Sequence, residues 1–105
     1  QCVLENNKIF EDLSMKIVGL FNEHDVKIIA GTDTPIGFLT PGYSLHKELE
    51  LQVEAGLTPL QALRSATITP AKFFNLDNKI GTIDLGKYAD LVILNSNPLE
   101  KIKST

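Results

Sequence analysis

Asp33 is the residue in this sequence best placed to do chemistry. It follows the short β-branched run Val26-Lys27-Ile28-Ile29-Ala30-Gly31 and precedes Thr34-Pro35. A carboxylate where a strand opens into a Pro-rich loop can bind a hard or borderline cation, or take a proton from metal-bound water. The same spacing also suits an Asx-turn in which the side chain does no more than cap the loop.

The two histidines, His24 and His46, form neither a His-x-His nor a His-Glu-x-x-His pair, so no complete metal site can be read from them. His24 falls at the end of one helical stretch, where its charge suits the helix dipole. His46 falls in the first turn of the next, one turn from the loop that carries Asp33, and the spacing allows it to face a shared cleft. Glu48, Glu50 and Glu54 flank the apolar stripe of that helix, and Glu50 and Glu54, at i and i+4, read as a solvated face rather than paired catalytic carboxylates. Lys87 and Asp90 read as a turn and a strand start. Cys2, the single cysteine, cannot form an internal disulfide and reads as a bystander. Neither a Gly-rich phosphate loop nor a Ser-His-Asp set is legible.

The elements that must hold these residues follow from periodicity. Ile9, Leu13, Ile17, Leu20 and Phe21 recur at helical spacing and predict an amphipathic helix over 9–24. Val26 to Gly31 then reads as a buried strand, and Thr32 to Gly42, with two Pro and two Gly, as the loop leaving its C-terminal end. Leu45, Leu49 and Val53 predict a second helix from about Tyr43 to Ala55, ended by Gly56. Thr58-Pro59-Leu60-Gln61 is a capping box with Pro at the first helical position, and Thr69-Pro70 repeats the device for a shorter helix to about Asn75. Ile80 to Gly86 and Ala89 to Leu94 read as two β segments, with one helical turn between Leu99 and Lys103.

With 43% hydrophobic and 22% charged residues over 105 positions, the chain reads as globular rather than disordered. A net charge of -3 without a basic cluster argues against nucleic acid as a partner. The apolar runs are too short for a membrane span. The chain opens with Gln1, without an initiator Met or a signal-peptide pattern, which suggests that an upstream portion has been cut away.

Several runs, taken together and in order, carry a family resemblance: Ile28-Ile29-Ala30-Gly31-Thr32-Asp33-Thr34-Pro35, Leu45-His46-Lys47-Glu48-Leu49-Glu50-Leu51, Val53-Glu54-Ala55-Gly56-Leu57-Thr58-Pro59, Ala66-Thr67 with Pro70-Ala71, and Gly81-Thr82-Ile83 with Gly86-Lys87-Tyr88-Ala89-Asp90-Leu91-Val92. Over about residues 17 to 102 the sequence resembles the C-terminal third of the amidohydrolase superfamily, in the branch of imidazolonepropionase-like enzymes and metal-dependent Xaa-Pro dipeptidases.

The resemblance implies an α/β fold. Residues 1–78 would form the last βα portion of a (β/α)8 barrel, with strand 8 near 26–31, and residues 79–105 would be the C-terminal strands of a small composite β domain. It implies Asp33 as the strand-8 aspartate, ligating a divalent metal, usually zinc, and serving as the catalytic base in hydrolysis of a C–N bond. His46 is the candidate substrate contact, and the substrate class is a small molecule or dipeptide. The remaining metal ligands of the family come from earlier strands, so the 105-residue piece is expected to bind no metal tightly and to be inactive by itself. The competing expectation is a non-catalytic α/β interaction module that self-associates through exposed apolar surface.

Overall fold

The computed structural model describes residues 2–37 and 39–105, with side-chain surroundings from residue 8 onward. The Cys2 side chain and Phe38 lie outside the described residues. Among the described residues four helices are followed by a 3-10 turn: α1 (Cys2–Glu23), α2 (Tyr43–Glu54), α3 (Pro59–Ser65), α4 (Ile68–Phe73) and the turn Ile102–Ser104.

The helix ends are set by local chemistry. α1 starts earlier than its apolar spacing predicts and stops at His24, where Asp25 adopts a left-handed φ of 56°. The Asp25 N–H then donates to the Asn22 carbonyl (3.2 Å) and the Val26 N–H to that of Phe21 (2.9 Å), the Schellman pattern. α2 ends the same way: Gly56 (φ 111°) donates to Val53 and Leu57 to Gln52, both at 3.1 Å. α3 begins with the predicted capping box, in which Thr58 Oγ1 accepts from the Gln61 N–H (3.2 Å) and Gln61 Oε1 accepts from the Thr58 N–H (2.7 Å).

α4 departs from expectation. Thr67, not Thr69, occupies the cap position, and its hydroxyl donates back to the Leu63 carbonyl (2.8 Å) instead of capping. Thr69 and Pro70 therefore lie inside the first turn, where the N–H that Pro lacks would have no intrahelical partner anyway.

The core is small. Leu49, Ala62 and Ile102 are buried together, with Ala30, Val53, Leu63 and Ala66 packed around them, so α2, α3 and the C-terminal turn converge on one point. Leu45 of the predicted α2 stripe stays exposed, whereas Ser44 and Gln52 are buried. The stripe predicted on α1 is likewise not its packing face: Ile9, Phe10, Leu13, Ile17, Leu20 and Phe21 are exposed, and Ser14, Met15, Val18 and Gly19 are the less exposed side. Gly19 makes that approach possible, since a Cβ there would stand 2.6 Å from the Ala55 carbonyl oxygen at the end of α2.

No strand occurs among the described residues, so the expected sheet at 26–31, 80–86 and 89–94 is not seen. Residues 26–33 run without helix or turn, but their backbone bonds go to helices: Ala30 N–H donates to the Ser65 carbonyl (2.9 Å) and Gly31 N–H to Glu48 Oε1 (2.8 Å). Residues 80–94 are bends, turns and irregular chain, with Ile83 86%, Leu85 105%, Val92 80% and Ile93 96% exposed. A helix closes its hydrogen bonds within itself, whereas a strand needs a neighbour, and none is supplied here. The radius of gyration, 15.3 Å, exceeds the roughly 13 Å of a compact domain of about 100 residues. The single helical turn expected between Leu99 and Lys103 appears slightly later, at Ile102–Ser104. No described helix is long and apolar enough to cross a membrane.

Candidate functional site

Asp33 stands at the C-terminal end of the 26–33 segment, exposed, with a left-handed φ of 52°. Asp is one of the few side chains that tolerate this region, and such outliers concentrate where the backbone is held for a purpose. The bond that closes the following turn runs from the Ile36 N–H to the main-chain carbonyl of Asp33 (3.1 Å), not to its carboxylate. An Asx-turn is therefore not what keeps the side chain in place.

A cleft of about 480 Å³ opens beside this mouth, walled on one side by Gly31 and Thr32 and on the other by Leu39, Thr40 and the first two turns of α2. Ser44 ties the far end of the loop to the helix: its Oγ accepts from the Thr40 N–H (2.9 Å) and its own N–H donates to the Thr40 carbonyl (3.0 Å). Lys47 lines the cleft and donates to Glu50 (3.1 Å), a bond that, together with the Glu50 charge, holds its ammonium above the ordinary value. Glu48 lines it as well, with Oε1 turned to the Gly31 amide.

His46 lies on α2 close to this wall, half-buried, with an Nδ1 that is shut off from solvent and meets no hydrogen-bond partner among the described residues. The lining of the cleft is supplied by its neighbours Ser44, Lys47 and Glu48 rather than by His46. His24 is exposed at the end of α1, and Glu50 also reaches Lys103 (3.8 Å), so both belong to the helical surface. Lys87 pairs with Asp84 (3.4 Å) and donates to Thr82, closing a turn remote from Asp33 in sequence. The Thr82 hydroxyl, and after it Lys87, holds the Asp84 carboxyl below its ordinary value.

Three residues of this region were not singled out by spacing. Glu48, beside the apolar stripe of α2, is bonded to the backbone two residues before Asp33. Gln52 and Ser65 are buried, 6% and 2% exposed, and the Ser65 hydroxyl donates to Gln52 Oε1 (2.7 Å). The available signal was Gln52 itself, a polar residue three positions from Leu49 on the inward side of α2.

As a metal donor the Asp33 carboxylate has the right chemistry but not the company. Among the described residues no three His, Cys, Asp or Glu side chains gather closely enough to hold an ion, and a stable divalent site takes three or four. These residues by themselves do not complete one.

The amidohydrolase family pattern matches residues 2–105, and the chain belongs to that family. An adenine deaminase of Clostridium botulinum (strain Loch Maree / Type A3) is 30% identical over 96 residues, covering 90% of this chain and 16% of that protein. Ochratoxinase of Aspergillus niger is 39% identical over 80 residues, 74% of this chain and 16% of that protein. A crystal structure of a Xaa-Pro dipeptidase with methionine bound in its active site superposes with a TM-score of 0.75 at 33% identity, over 86% of this chain and 21% of that one. The chain thus spans less than a fifth of the length of the curated relatives it matches.

Proposed function

We propose that this chain is part of a metal-dependent hydrolase that cleaves a C–N bond, amide, peptide or cyclic amide, in a small or dipeptide-like substrate, and that Asp33 is its catalytic acid–base group. The observation that carries the reading is the place of Asp33: the C-terminal end of an extended segment whose Gly31 and Thr32 line an open cleft, within a chain matched along its length by the amidohydrolase family. Residues 1–78 are read as the last part of a (β/α)8 barrel with strand 8 near 26–31, and 79–105 as a segment of a small β domain. Strands in those places would gain their missing hydrogen bonds from the rest of the protein.

A divalent ion, zinc in this reading, would polarise the scissile carbonyl and acidify water, with Asp33 contributing one ligand oxygen and the other ligands coming from outside these residues. The task of this chain is proton traffic. The Asp33 carboxylate accepts a proton from the attacking water and returns it to the leaving nitrogen. His46, on α2 one turn from the loop that carries Asp33, is proposed as a substrate contact.

Asp33→Asn in the whole protein is the test. Asn keeps the size and tolerates the left-handed backbone, so folding should be unchanged while kcat falls by about 10²- to 10⁴-fold. Undiminished turnover sinks the proposal.

A second reading, a self-associating interaction module, draws on the exposed Ile83, Leu85, Val92 and Ile93. Light scattering that finds the 105-residue chain monomeric, without binding of an apolar dye, would remove it.

A further inference from the structure

We propose that Glu48 is a positioning residue for Asp33, a role that rests on the hydrolase reading above. Successive amides of an extended chain point to opposite sides, and here the two amides ahead of Thr32 and Asp33 are taken by two different helices. Ala30 N–H donates to the Ser65 carbonyl at the end of α3 (2.9 Å), and Gly31 N–H donates to Glu48 Oε1 on α2 (2.8 Å). Gln52 joins the two anchors: its Nε2 lies 3.5 Å from Glu48 Oε1, and its Oε1 accepts from the Ser65 hydroxyl (2.7 Å). Both contacts agree with one orientation of the Gln52 amide.

The anchors are firm for separate reasons. Ser65 and Gln52 are almost completely buried, so breaking their bond would leave Gln52 Oε1 unpaired away from water, while the Ser65 hydroxyl would keep the Ala62 carbonyl (2.7 Å). Glu48 offers a charged acceptor to a neutral donor, which makes a shorter and stronger bond than a neutral pair. Glu48 also sits between two clefts, the one beside Asp33 and an apolar one between α1 and α2. With both amides committed to helices, strand pairing at this end is left to the carbonyls and to the amides before Ala30, and Asp33 projects from backbone held by α2 and α3. Glu48 acts on the site through the main chain, so its loss is felt as misplacement of Asp33 rather than as loss of a substrate contact.

The test uses the whole protein with Glu48→Leu and Glu48→Gln. Leu fills the space without an acceptor, whereas Gln keeps a carbonyl oxygen for the Gly31 amide. Glu48→Leu should lower kcat by about ten- to a hundredfold with KM little changed, since displacement of a reacting group by about an ångström is felt at that scale. Exchange of the Gly31 amide hydrogen should accelerate in the same variant, and Glu48→Gln should restore both. If Glu48→Leu does not fold, Glu48→Asp takes its place, its carboxylate one methylene short of Gly31 and the same two changes expected. Normal kcat in a variant whose Gly31 exchange has accelerated overturns the proposal. So does unchanged exchange, or a Gln variant as impaired as Leu. An active Asp33→Asn protein would instead defeat the acid–base role of Asp33 on which this proposal rests and leave the exchange result standing, so the two failures are told apart.

Discussion

Residues 43–75 are poorer in apolar side chains than residues 80–94, yet it is the first stretch that builds a core and the second that does not. The first region closes its own hydrogen bonds: α2 and α4 end in Schellman turns, α3 opens with a capping box, and Leu49 and Ala62 are buried against Ile102. The second carries Ile83, Leu85, Val92 and Ile93 into solvent and has no ladder to hold it. Its principal internal fastening is the Thr82–Asp84–Lys87 turn, together with the Tyr88 N–H bond to the Lys79 carbonyl (2.8 Å). The contrast teaches that helices on this chain are self-sufficient, whereas its extended segments are written for partners.

The largest expected effect tests the self-sufficient region. Leu49→Ala should cost about 2–5 kcal/mol, because a buried leucine is deleted from a core with few other members. Urea unfolding followed by circular dichroism measures it, and a loss under about 1 kcal/mol would mean that the α2–α3 contact is not the centre of stability.

Ile93→Lys addresses the dependent region. It should change the stability of the 105-residue chain by less than about 0.5 kcal/mol, as Ile93 is already in solvent. In the whole protein, where a neighbour would cover it, the same change should cost about 2–3 kcal/mol. Equal effects in both would show that the segment has no partner.

A smaller effect is expected at the edge of the helical region. Gly19→Ala puts a Cβ 2.6 Å from the Ala55 carbonyl oxygen and should destabilise by about 1–2 kcal/mol as α1 is pushed from α2. A thermal midpoint equal to that of the unaltered protein would place the α1 contact elsewhere.

The smallest is a pH effect in the dependent region. The Asp84 carboxyl is held below its ordinary 3.8 by the Thr82 hydroxyl and then by Lys87. Its support of the turn is thus fully present above that value and is lost as pH falls through the lowered one. An NMR titration should show residues 82–87 changing below pH 3.8 in the parent and at higher pH in Lys87→Met. Identical titrations would separate Lys87 from the turn.

The capping box at Thr58, the stop at Gly56 and the bounds of α2 were legible in the sequence because each depends on residues within one helical turn. The extended segment was legible too, although it runs to Asp33, two residues past the Gly31 at which its spacing ends it. The packing faces were not legible. Ile17 and Leu20 look inward by periodicity, but the face of α1 nearer the body is the one carrying Gly19, since only there can two backbones approach.

What the sequence determined by itself was local: where helices begin and end, and which carboxylate stands at the mouth of the loop, because caps, turns and periodicity act over a few residues. Tertiary structure alone decided that Glu48 would hold Gly31 from 17 positions away. It also decided that Gln52 and Ser65 would be buried together and that the β-branched runs would stay unpaired. Those outcomes depend on which distant donor meets which acceptor, and no short stretch of chain carries that information.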